Sequence, residues 1–380
     1  MADNREAPMF SAVSSSARQL FLLLRCISFA PKVQVQISDE GMRFSVEDSS
    51  VMEGMAFLEK SIFTSYHYTA PRPGSQGSDT TANETHNPVF AVSMPSLLET
   101  LQIFGLTMES RPNPFSGGGR PEAFANHAFS NQVLGVTGLC RLQYTAPGAP
   151  LTIIIEESGI KTTCNLNTYE PSFTSDIPFL RDHIAMKVIM RANYLFDAIA
   201  ELSNNNPQII TLSAKRRIFT VSASSPLGSA TVDFHRDAKV AEHKAPATNE
   251  SGEPTGEGDD PQRQTSSGLL ETYVVANENG VFSQSYKFAH VAGTKKALQA
   301  ATKVSIRADE QGVLSLQFMI ENLEGGGVSF VDFRFVPLVG DDEEGGMSTD
   351  EGSDDEGEEE NANGNGVNGE DENDEEEDDE

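Results

Sequence analysis

The chain has 380 residues and a formal net charge of −30, and this length favours two domains over one. The charge is unevenly spread, because residues 341–380 hold 22 of the 57 acidic residues and none of the 27 basic ones. The remaining 35 acidic and 27 basic residues make the rest only mildly acidic. The polar start of the chain is not a signal peptide, and the longest apolar run, Leu20–Leu24, is too short to cross a bilayer. We therefore expect a soluble intracellular protein without a membrane partner.

The first half of the chain begins with a predicted amphipathic helix over Ser14–Phe29. Its apolar residues have helical spacing, three serines at its start offer N-cap hydroxyls, and Pro31 marks its end. Alternation of apolar and polar residues, together with turn signals, predicts the remaining elements. These are a hairpin of 33–37 and Met42–Val46, a strand region over Met55–His67, a helix over Ser93–Phe104, and strands over Leu139–Tyr144, Leu151–Glu156 and Ile160–Leu166.

The second half follows the same plan. The predicted elements are a helix over Arg191–Ser203, strands over Ile209–Leu212, Ile218–Ala223 and Ser229–Phe234, a weaker helix over Phe288–Ala301, and strands over Lys303–Ala308, Gly312–Glu321 and Val328–Pro337. Stretches rich in turn-forming and polar residues predict loop insertions at 69–88, 110–130 and 238–268. We expect domain 1 at 9–166, a proline-containing connector at 167–183, domain 2 at 184–340 and an acidic tail at 341–380.

An internal repeat is the most informative pattern in the chain. The helix around Leu20 recurs around Leu195, and the strand around Phe44 recurs around Phe219, both at an offset of 175 residues. So long a period indicates a duplicated domain, since solenoid repeats have periods of about 20–50 residues. Two similar domains, each with two helices on antiparallel sheets, predict an α+β fold. They also indicate an assembly unit more than an enzyme with one cleft.

Motifs for catalysis, metals or cofactors are missing from the sequence. It has no GxxxxGK[ST] loop and no HExxH, and Gly117-Gly118-Gly119 lies in a proline-rich loop. Glu47 and Asp48 point to opposite faces of a strand, and Glu156 and Glu157 lie at a strand end, so neither pair suggests metal ligands. We predict no catalytic residue, no metal and no cofactor. The widely spaced cysteines are interpreted as free, buried or half-buried thiols in a reducing compartment: Cys26, Cys140 and Cys164.

The basic residues of the predicted helices are more informative. Arg18 and Arg25 are seven residues apart and share one face of the first helix. Lys295 and Lys296 lie on the fourth helix, and Arg191 opens the third. Helices that present positive charge are suited to a phosphate backbone. No aromatic residue interleaves these positions, so base stacking is not expected and the contacts would carry no sequence information.

Two stretches of the sequence are similar to one protein family. They are LTIIIEESGI at 151–160, continued by CNLNTYEP at 164–171, and KVSIRAD at 303–309, continued by GVLSLQFMI at 312–320. Both stretches resemble the Rad-one subunits of the PCNA-like nine-one-one checkpoint clamp, whose three subunit types are Rad-nine, Hus-one and Rad-one. The resemblance covers roughly residues 10–338, apart from the insertions.

The resemblance implies a duplicated DNA sliding-clamp fold and a non-catalytic function. It implies a nuclear, heterotrimeric ring with two other clamp subunits, of the Rad-nine and Hus-one types. An ATP-driven clamp loader would place this ring on double-stranded or gapped DNA at damaged sites, where it supports checkpoint signalling and recruits checkpoint and repair proteins. On the third helix, Asp197 and Glu201 argue against a uniformly basic lining. The family's helices line the hole, and the matching basic residues here are Arg18, Arg25, Arg191, Lys295 and Lys296.

Two other functions are compatible with the sequence. Some members of this family have been credited with 3′→5′ exonuclease activity, but no converging set of carboxylates supports it here. The acidic tail alone would suit a factor that binds histones or other basic proteins. We expect this tail to be disordered. Its candidate phosphorylation sites are Ser348 and Ser353, each with an acidic residue three positions on.

Overall fold

A computed structural model describes residues 8–70, 87–103, 139–157, 159–171, 176–236, 268–276, 280–323 and 327–338. Nearly all of the predicted loop insertions lie outside the described residues. So does the acidic tail, with Ser348 and Ser353. None of the helices in the described ranges is long and apolar enough to cross a membrane.

The first half of the chain places one helix early and one late among nine strands. A short 3₁₀ turn at Lys60–Ile62 separates the fourth strand from the fifth. The elements are β1 (Phe10–Ser14), α1 (Ala17–Cys26), β2 (Lys32–Ile37), β3 (Gly41–Asp48), β4 (Met52–Glu59), β5 (Ser65–Tyr68), β6 (Val89–Ser93), α2 (Met94–Leu101), β7 (Leu139–Tyr144), β8 (Leu151–Glu157) and β9 (Ile160–Leu166).

The second half repeats the order of the first. Its elements are β10 (Ile184–Arg191), α3 (Ala192–Leu202), β11 (Ile209–Lys215), β12 (Ile218–Ser225), β13 (Gly228–His235), β14 (Leu270–Val275), β15 (Val281–Lys287), α4 (Phe288–Ala292), α5 (Lys295–Ala300), β16 (Lys303–Asp309), β17 (Leu314–Glu321) and β18 (Val328–Phe335). The helices α1 and α3 start 175 residues apart, and Phe44 and Phe219 are both buried. The duplication predicted from the sequence is therefore confirmed.

The strands form three antiparallel sheets. Five strands pair in the order β5-β1-β7-β8-β9, and four pair in the order β13-β12-β11-β15. The largest sheet has nine strands, in the order β14-β10-β16-β17-β18-β4-β3-β2-β6. Its central pair, β4 with β18, joins the two halves of the chain, because Gly54 lies opposite Phe333. One continuous sheet thus spans both halves.

The segment predicted to be the connector crosses the nine-stranded sheet on the side away from α1. Tyr169 exchanges two backbone hydrogen bonds of 2.8 Å with Ala91 of β6. Further along, the Ile177 N–H donates to Glu53 Oε2 at 3.1 Å, and Arg334 Nη1 donates to the Ile177 carbonyl at 2.6 Å. Burial, with Asp176 nearby, raises the pKa of the Glu53 carboxyl. These bonds fix the segment to strands from both halves.

Several predicted elements differ from the structure in their boundaries, most by one to three residues. The first helix begins at Ala17, because Ser14 belongs to β1, where it pairs with Cys140; Ser16 is the N-cap and its hydroxyl accepts the Gln19 N–H at 3.2 Å. The predicted strand region over Met55–His67 is interrupted by the 3₁₀ turn at Lys60–Ile62. The end predicted for the second helix, Phe104, lies outside the described residues.

The predicted helix over Phe288–Ala301 is wrong as a single element, so the described part of the second half has three α-helices and not two. The break falls at Gly293 and Thr294. Thr294 is fully buried, and its hydroxyl donates to the Val291 carbonyl at 2.7 Å. Such a bond competes with the backbone hydrogen bonds of a helix, and glycine is a weak helix former, so the chain re-initiates as α5.

A buried histidine links α4 to the hairpin of β3 and β4. The His290 side chain is 10% exposed, and its Nε2 lies 3.6 Å from Asp48 Oδ2. Burial lowers the pKa of His290; Lys287 lowers it further, and Asp48 opposes both. At mildly acidic pH the unfolded chain therefore binds more protons at this site than the folded chain, so stability rises with pH in that range.

Lowering the pH from 7.5 to 5.5 is expected to reduce the free energy of unfolding of the parent chain. The reduction should be smaller in the variant His290→Gln. Glutamine fills similar space and has no proton to gain. Urea unfolding of both proteins at the two pH values provides the measurement, and the difference between the proteins cancels the titration of other groups. Identical pH dependence in the two proteins would show that His290 is not the responsible group.

Candidate nucleic-acid interface

Four helices lie side by side on one face of the nine-stranded sheet. They pack in the order α2, α1, α5 and α3, and each also contacts strands of that sheet. The central seam, between α1 and α5, joins residues from the two halves of the chain. The opposite side of these helices faces solvent, and all five sequence-predicted DNA-facing residues belong to this layer or border it.

On α1, two arginines lie on the solvent side about two turns apart. Arg18 is exposed and Arg25 is half-buried. Seven residues of helix separate their Cα atoms by about 10 Å along the axis. Arg25 lies in the last helical turn, where a cation interacts favourably with the negative end of the helix dipole.

On α5, the two adjacent lysines point to different neighbours. Lys296 Nζ donates to the Ser28 hydroxyl at 2.9 Å and to the Ser28 carbonyl at 3.4 Å, just beyond the end of α1. Lys295 Nζ donates to the Ser203 hydroxyl at 2.9 Å, just beyond the end of α3. Lys296 remains exposed, whereas Lys295 is half-buried. The two lysines therefore link α5 to the ends of α3 and α1, and they also contribute positive charge to the surface of the helix layer.

The thiol of Cys26 is enclosed in the seam between α1 and α5. Its Sγ lies 4.0 Å from the Lys296 carbonyl oxygen. Burial raises the pKa of Cys26 to about 12, and the charges of Arg25 and Lys296 oppose this rise. The charges of Arg25 and Lys296 therefore both lie near the Cys26 thiol, at one end of the seam between α1 and α5.

The positive charge does not extend evenly over α3. Arg191 is the last residue of β10 and the N-cap of α3, where it is exposed and makes no capping hydrogen bond through its side chain. The next exposed positions on this helix are Asn193, Asp197 and Glu201, each four residues from the next on one face. The solvent face of α3 is therefore acidic, and the positive surface concentrates on α1 and α5.

Lys287 is a further basic residue at the start of a helix, and sequence reasoning missed it. It ends β15, forms the N-cap of α4 and is exposed. Its position matches that of Arg191, because each is the last residue of a strand that leads directly into a helix. The predicted start of the helix at Phe288, one residue later, concealed Lys287.

The acidic pairs tested from the sequence take part in local contacts. The Glu47 carboxylate accepts the Ser50 N–H in the turn after β3, and Asp48 faces His290. Within the described ranges, no group of three or more His, Cys, Asp and Glu side chains is placed to hold a metal ion. The prediction that the cysteines are free, buried or half-buried thiols is confirmed. All three are free, with Cys26 and Cys140 buried and Cys164 half-exposed.

Comparison with known proteins places the chain in a family. The family model described as "Repair protein Rad1/Rec1/Rad17" matches residues 9–320. The chain belongs to the Rad1/Rec1/Rad17 family. The resemblance found in the two quoted stretches is thereby confirmed.

Relatives within the Rad1/Rec1/Rad17 family are similar over most of their length. The chain is 30% identical to the DNA damage checkpoint control protein rad1 of Schizosaccharomyces pombe, over 88% of this chain and 89% of that protein. It is 27% identical to the human cell cycle checkpoint protein RAD1, over 87% and 93%. It is also 24% identical to the DNA repair exonuclease REC1 of Mycosarcoma maydis, over 65% and 61%.

The fold of this Rad1-family chain is that of a sliding clamp. The structure of the proliferating cellular nuclear antigen of Entamoeba histolytica matches with a TM-score of 0.57. The match has 12% sequence identity and covers 88% of this chain and 100% of that one. The α+β, duplicated PCNA-like fold predicted from the sequence is confirmed. A PCNA-like fold in a Rad1-family protein supports a role as a checkpoint clamp.

Proposed function

We propose that this chain is a non-catalytic subunit of a heterotrimeric ring that encircles double-stranded or gapped DNA at damaged sites. Two other clamp subunits, of the Rad-nine and Hus-one types, complete the ring, and a clamp loader places it on DNA. The ring acts in the nucleus, where it supports checkpoint signalling and recruits checkpoint and repair proteins. The expected domains, 9–166 and 184–340 joined by 167–183, are part of this proposal.

The observation that carries the proposal is a pair of open strand edges in different halves of the chain. In the described structure, β9 ends the five-stranded sheet and pairs with β8, and β13 ends the four-stranded sheet and pairs with β12. Both strands are largely exposed or half-exposed. An open edge presents a row of N–H and C=O groups to a partner strand. Two different edges allow head-to-tail contacts, which close into a ring when the rotation fits.

The helix layer supports DNA as the encircled partner. Arg18, Arg25 and Lys296 present positive charge along the central seam, and no exposed aromatic side chain accompanies them on α1 or α5. Phosphate contacts of this kind position a duplex without reading its sequence. The acidic face of α3 limits the number of contacts, which favours a loosely held duplex on which the ring slides.

Encirclement is tested by topology. The chain is co-purified with the two partner subunits, loaded onto nicked circular DNA with a clamp loader and ATP, and washed at high salt. A ring stays on the circle and is lost when a restriction enzyme linearises it. Loss from the circle itself at high salt would rule out encirclement. Failure of the three chains to co-purify would rule out the heterotrimer.

Charge reversal tests the helix layer. The double variant Arg18→Glu, Lys296→Glu is expected to lower the affinity of the assembled ring for unrelated duplexes equally. It should also reduce the slope of log affinity against log salt by about 1.8, because each phosphate contact contributes about 0.9. Fluorescence anisotropy over a salt series gives both quantities. Lys60→Glu, at an exposed lysine of the 3₁₀ turn, is the matched control, and an equal loss in both variants would contradict the assignment.

A second candidate function, 3′→5′ exonuclease activity, is favoured by the name of one relative, REC1. Incubation of the purified chain with end-labelled DNA and magnesium separates the two functions. A clamp subunit leaves the label intact, whereas an exonuclease releases labelled mononucleotides. Co-elution of any nuclease activity with the chain over two further columns would favour the enzyme.

A further inference from the structure

An exposed cluster of basic residues lies outside the helix layer, at one end of the four-stranded sheet. Arg216 and Arg217 form the two-residue turn between β11 and β12, and Lys215 directly precedes it. Arg236, which follows β13, donates its backbone N–H to the Arg217 carbonyl at 2.9 Å. All four side chains are exposed. We call Lys215, Arg216, Arg217 and Arg236 the basic turn.

The basic turn is spatially distinct from the charged seam of α1 and α5. The strand β11 begins at Ile209, shortly after the end of α3, and ends at Lys215. Six strand residues span about 20 Å. The basic turn therefore lies at the end of β11 that is remote from the C-terminus of α3.

The first residue of the turn is an arginine in a backbone conformation that favours glycine. Arg216 has φ +51°, a left-handed conformation that two-residue hairpins normally fill with Gly, Asn or Asp. A residue with a side chain is less stable than glycine in this conformation, because its Cβ comes too close to the following carbonyl oxygen. A strained backbone position that carries an arginine is an observation from which a function can be inferred.

The local electrostatics suit an anion. In the part of the chain that the structure describes, Lys215, Arg216 and Arg236 form no ion pair with a carboxylate. At the base of the turn, the Tyr273 hydroxyl donates to the Ile218 carbonyl at 2.9 Å. Guanidinium groups bind phosphate oxygens in a two-pronged geometry. This concentration of positive charge is unusual in a chain whose formal net charge is −30.

We propose that the basic turn is a second binding site for the phosphate backbone of DNA, beside the hole and not inside it. The inference rests on the proposed clamp function. Arg236 directly follows β13, the edge at which we propose that a neighbouring subunit pairs. The basic turn therefore contacts DNA that lies against the ring near a subunit junction, in addition to the duplex that passes through it.

The test uses the full-length chain without its partners, since one subunit cannot encircle DNA. Binding of a 30-base-pair duplex is measured by fluorescence anisotropy over a salt series. The variant Arg216→Glu, Arg236→Glu should weaken binding by about fivefold to tenfold per lost contact at 0.1 M salt and reduce the salt slope by about 1.8. The variant Arg216→Lys, Arg236→Lys should restore the slope. Unchanged binding in the charge-reversal variant overturns the proposal.

A glycine variant separates charge from folding. Arg216→Gly relieves the left-handed backbone, so its melting temperature should rise while its DNA affinity falls. A fall in affinity with a lower melting temperature would assign Arg216 a structural role and overturn the proposal. Polyglutamate serves as the competing probe. If the charge-reversal variant loses polyglutamate binding but keeps DNA binding, the basic turn is a site for acidic peptides instead.

The proposed clamp function is tested separately. Failure of the three subunits to co-purify, or loss of the ring from circular DNA, counts against the clamp whatever the basic turn does. The opposite outcome is also distinguishable. If the ring remains on circular DNA and the basic-turn variants do not change DNA affinity, the clamp function stands and the second site does not.

Discussion

Thr163→Pro and Thr231→Pro are each expected to prevent formation of the three-subunit ring, by breaking the contact with one partner subunit, while leaving the chain folded. The last pair of the β8–β9 ladder is Glu157 with Ile160, and the last pair of the β12–β13 ladder is Ser225 with Gly228. Ladder hydrogen bonds alternate along an antiparallel pair. Thr163 and Thr231 therefore point their N–H groups away from the neighbouring strand of their own sheet, toward the open edge.

Proline removes an N–H at these positions without breaking a hydrogen bond inside the sheet, and proline is tolerated on edge strands for this reason. Both threonine side chains are exposed, so little packing is lost. Size-exclusion chromatography of the three co-expressed chains measures assembly, and thermal unfolding of the isolated variant measures folding. Thr163→Ala and Thr231→Ala, which keep the N–H, are the matched controls.

A separate result is expected for each of the two strand edges. Each proline variant should fail to bind one partner and still bind the other, because β9 and β13 face different neighbours in a closed ring. Two stable binary complexes, one from each variant, would therefore be recovered. If either proline variant assembles as well as its alanine control, that edge is not a subunit interface and the ring model has to be revised.

The elements that the sequence predicts best are those whose signal is local. The periodic apolar residues of α1 and α3, and the repeat that relates them, are contained within short windows, so the predicted helices and the duplication are confirmed. The capping serine, Ser16, is one of the three that were predicted. The break at Gly293 and Thr294 was not predicted, because the break depends on the burial of Thr294. The spacing of apolar residues along the sequence does not reveal that a threonine is buried.

Several strands were not predicted because their signals are weak or depend on distant partners. The strand β10 has apolar residues on both faces and follows the connector, so alternation is obscured. The strands β14 and β15 adjoin a long insertion. The pairing of β4 with β18 brings residues 52–56 and 331–335 together. Nothing in either segment identifies the other, because the pairing depends on the packing of both halves.

For the candidate interface, the sequence predicts the residue types and their elements but not their environments. Lys295 and Lys296 are neighbours in the sequence, yet one bonds to Ser203 and the other to Ser28 at opposite sides of α5. The acidic face of α3 was visible as Asp197 and Glu201. The basic turn was not predicted, since its residues become adjacent through the hairpin of β11 and β12 and the contact of Arg236 with Arg217.

The junction between the two halves depends on one aromatic side chain. Phe333 in β18 is fully buried, and its ring centroid lies 5.6 Å from that of Phe318 and 6.0 Å from that of Phe29. It packs over Gly54 of β4, where an added Cβ would lie 3.0 Å from the Phe333 ring and 2.6 Å from that of Phe29. The glycine and the phenylalanine thus fit each other where β4 pairs with β18.

Phe333→Ala is expected to lower the free energy of unfolding by about 3–5 kcal/mol, through lost burial and the cavity that remains. Native domains are stable by about 5–15 kcal/mol, so the variant should be close to unfolding at room temperature. Urea unfolding, with the slope checked to be unchanged, measures the effect. Phe330→Ala is the matched control. It makes the same change on the other face of β18, where the side chain is 40% exposed, and it should cost much less. Equal losses in the two variants would show that the halves are not joined through Phe333.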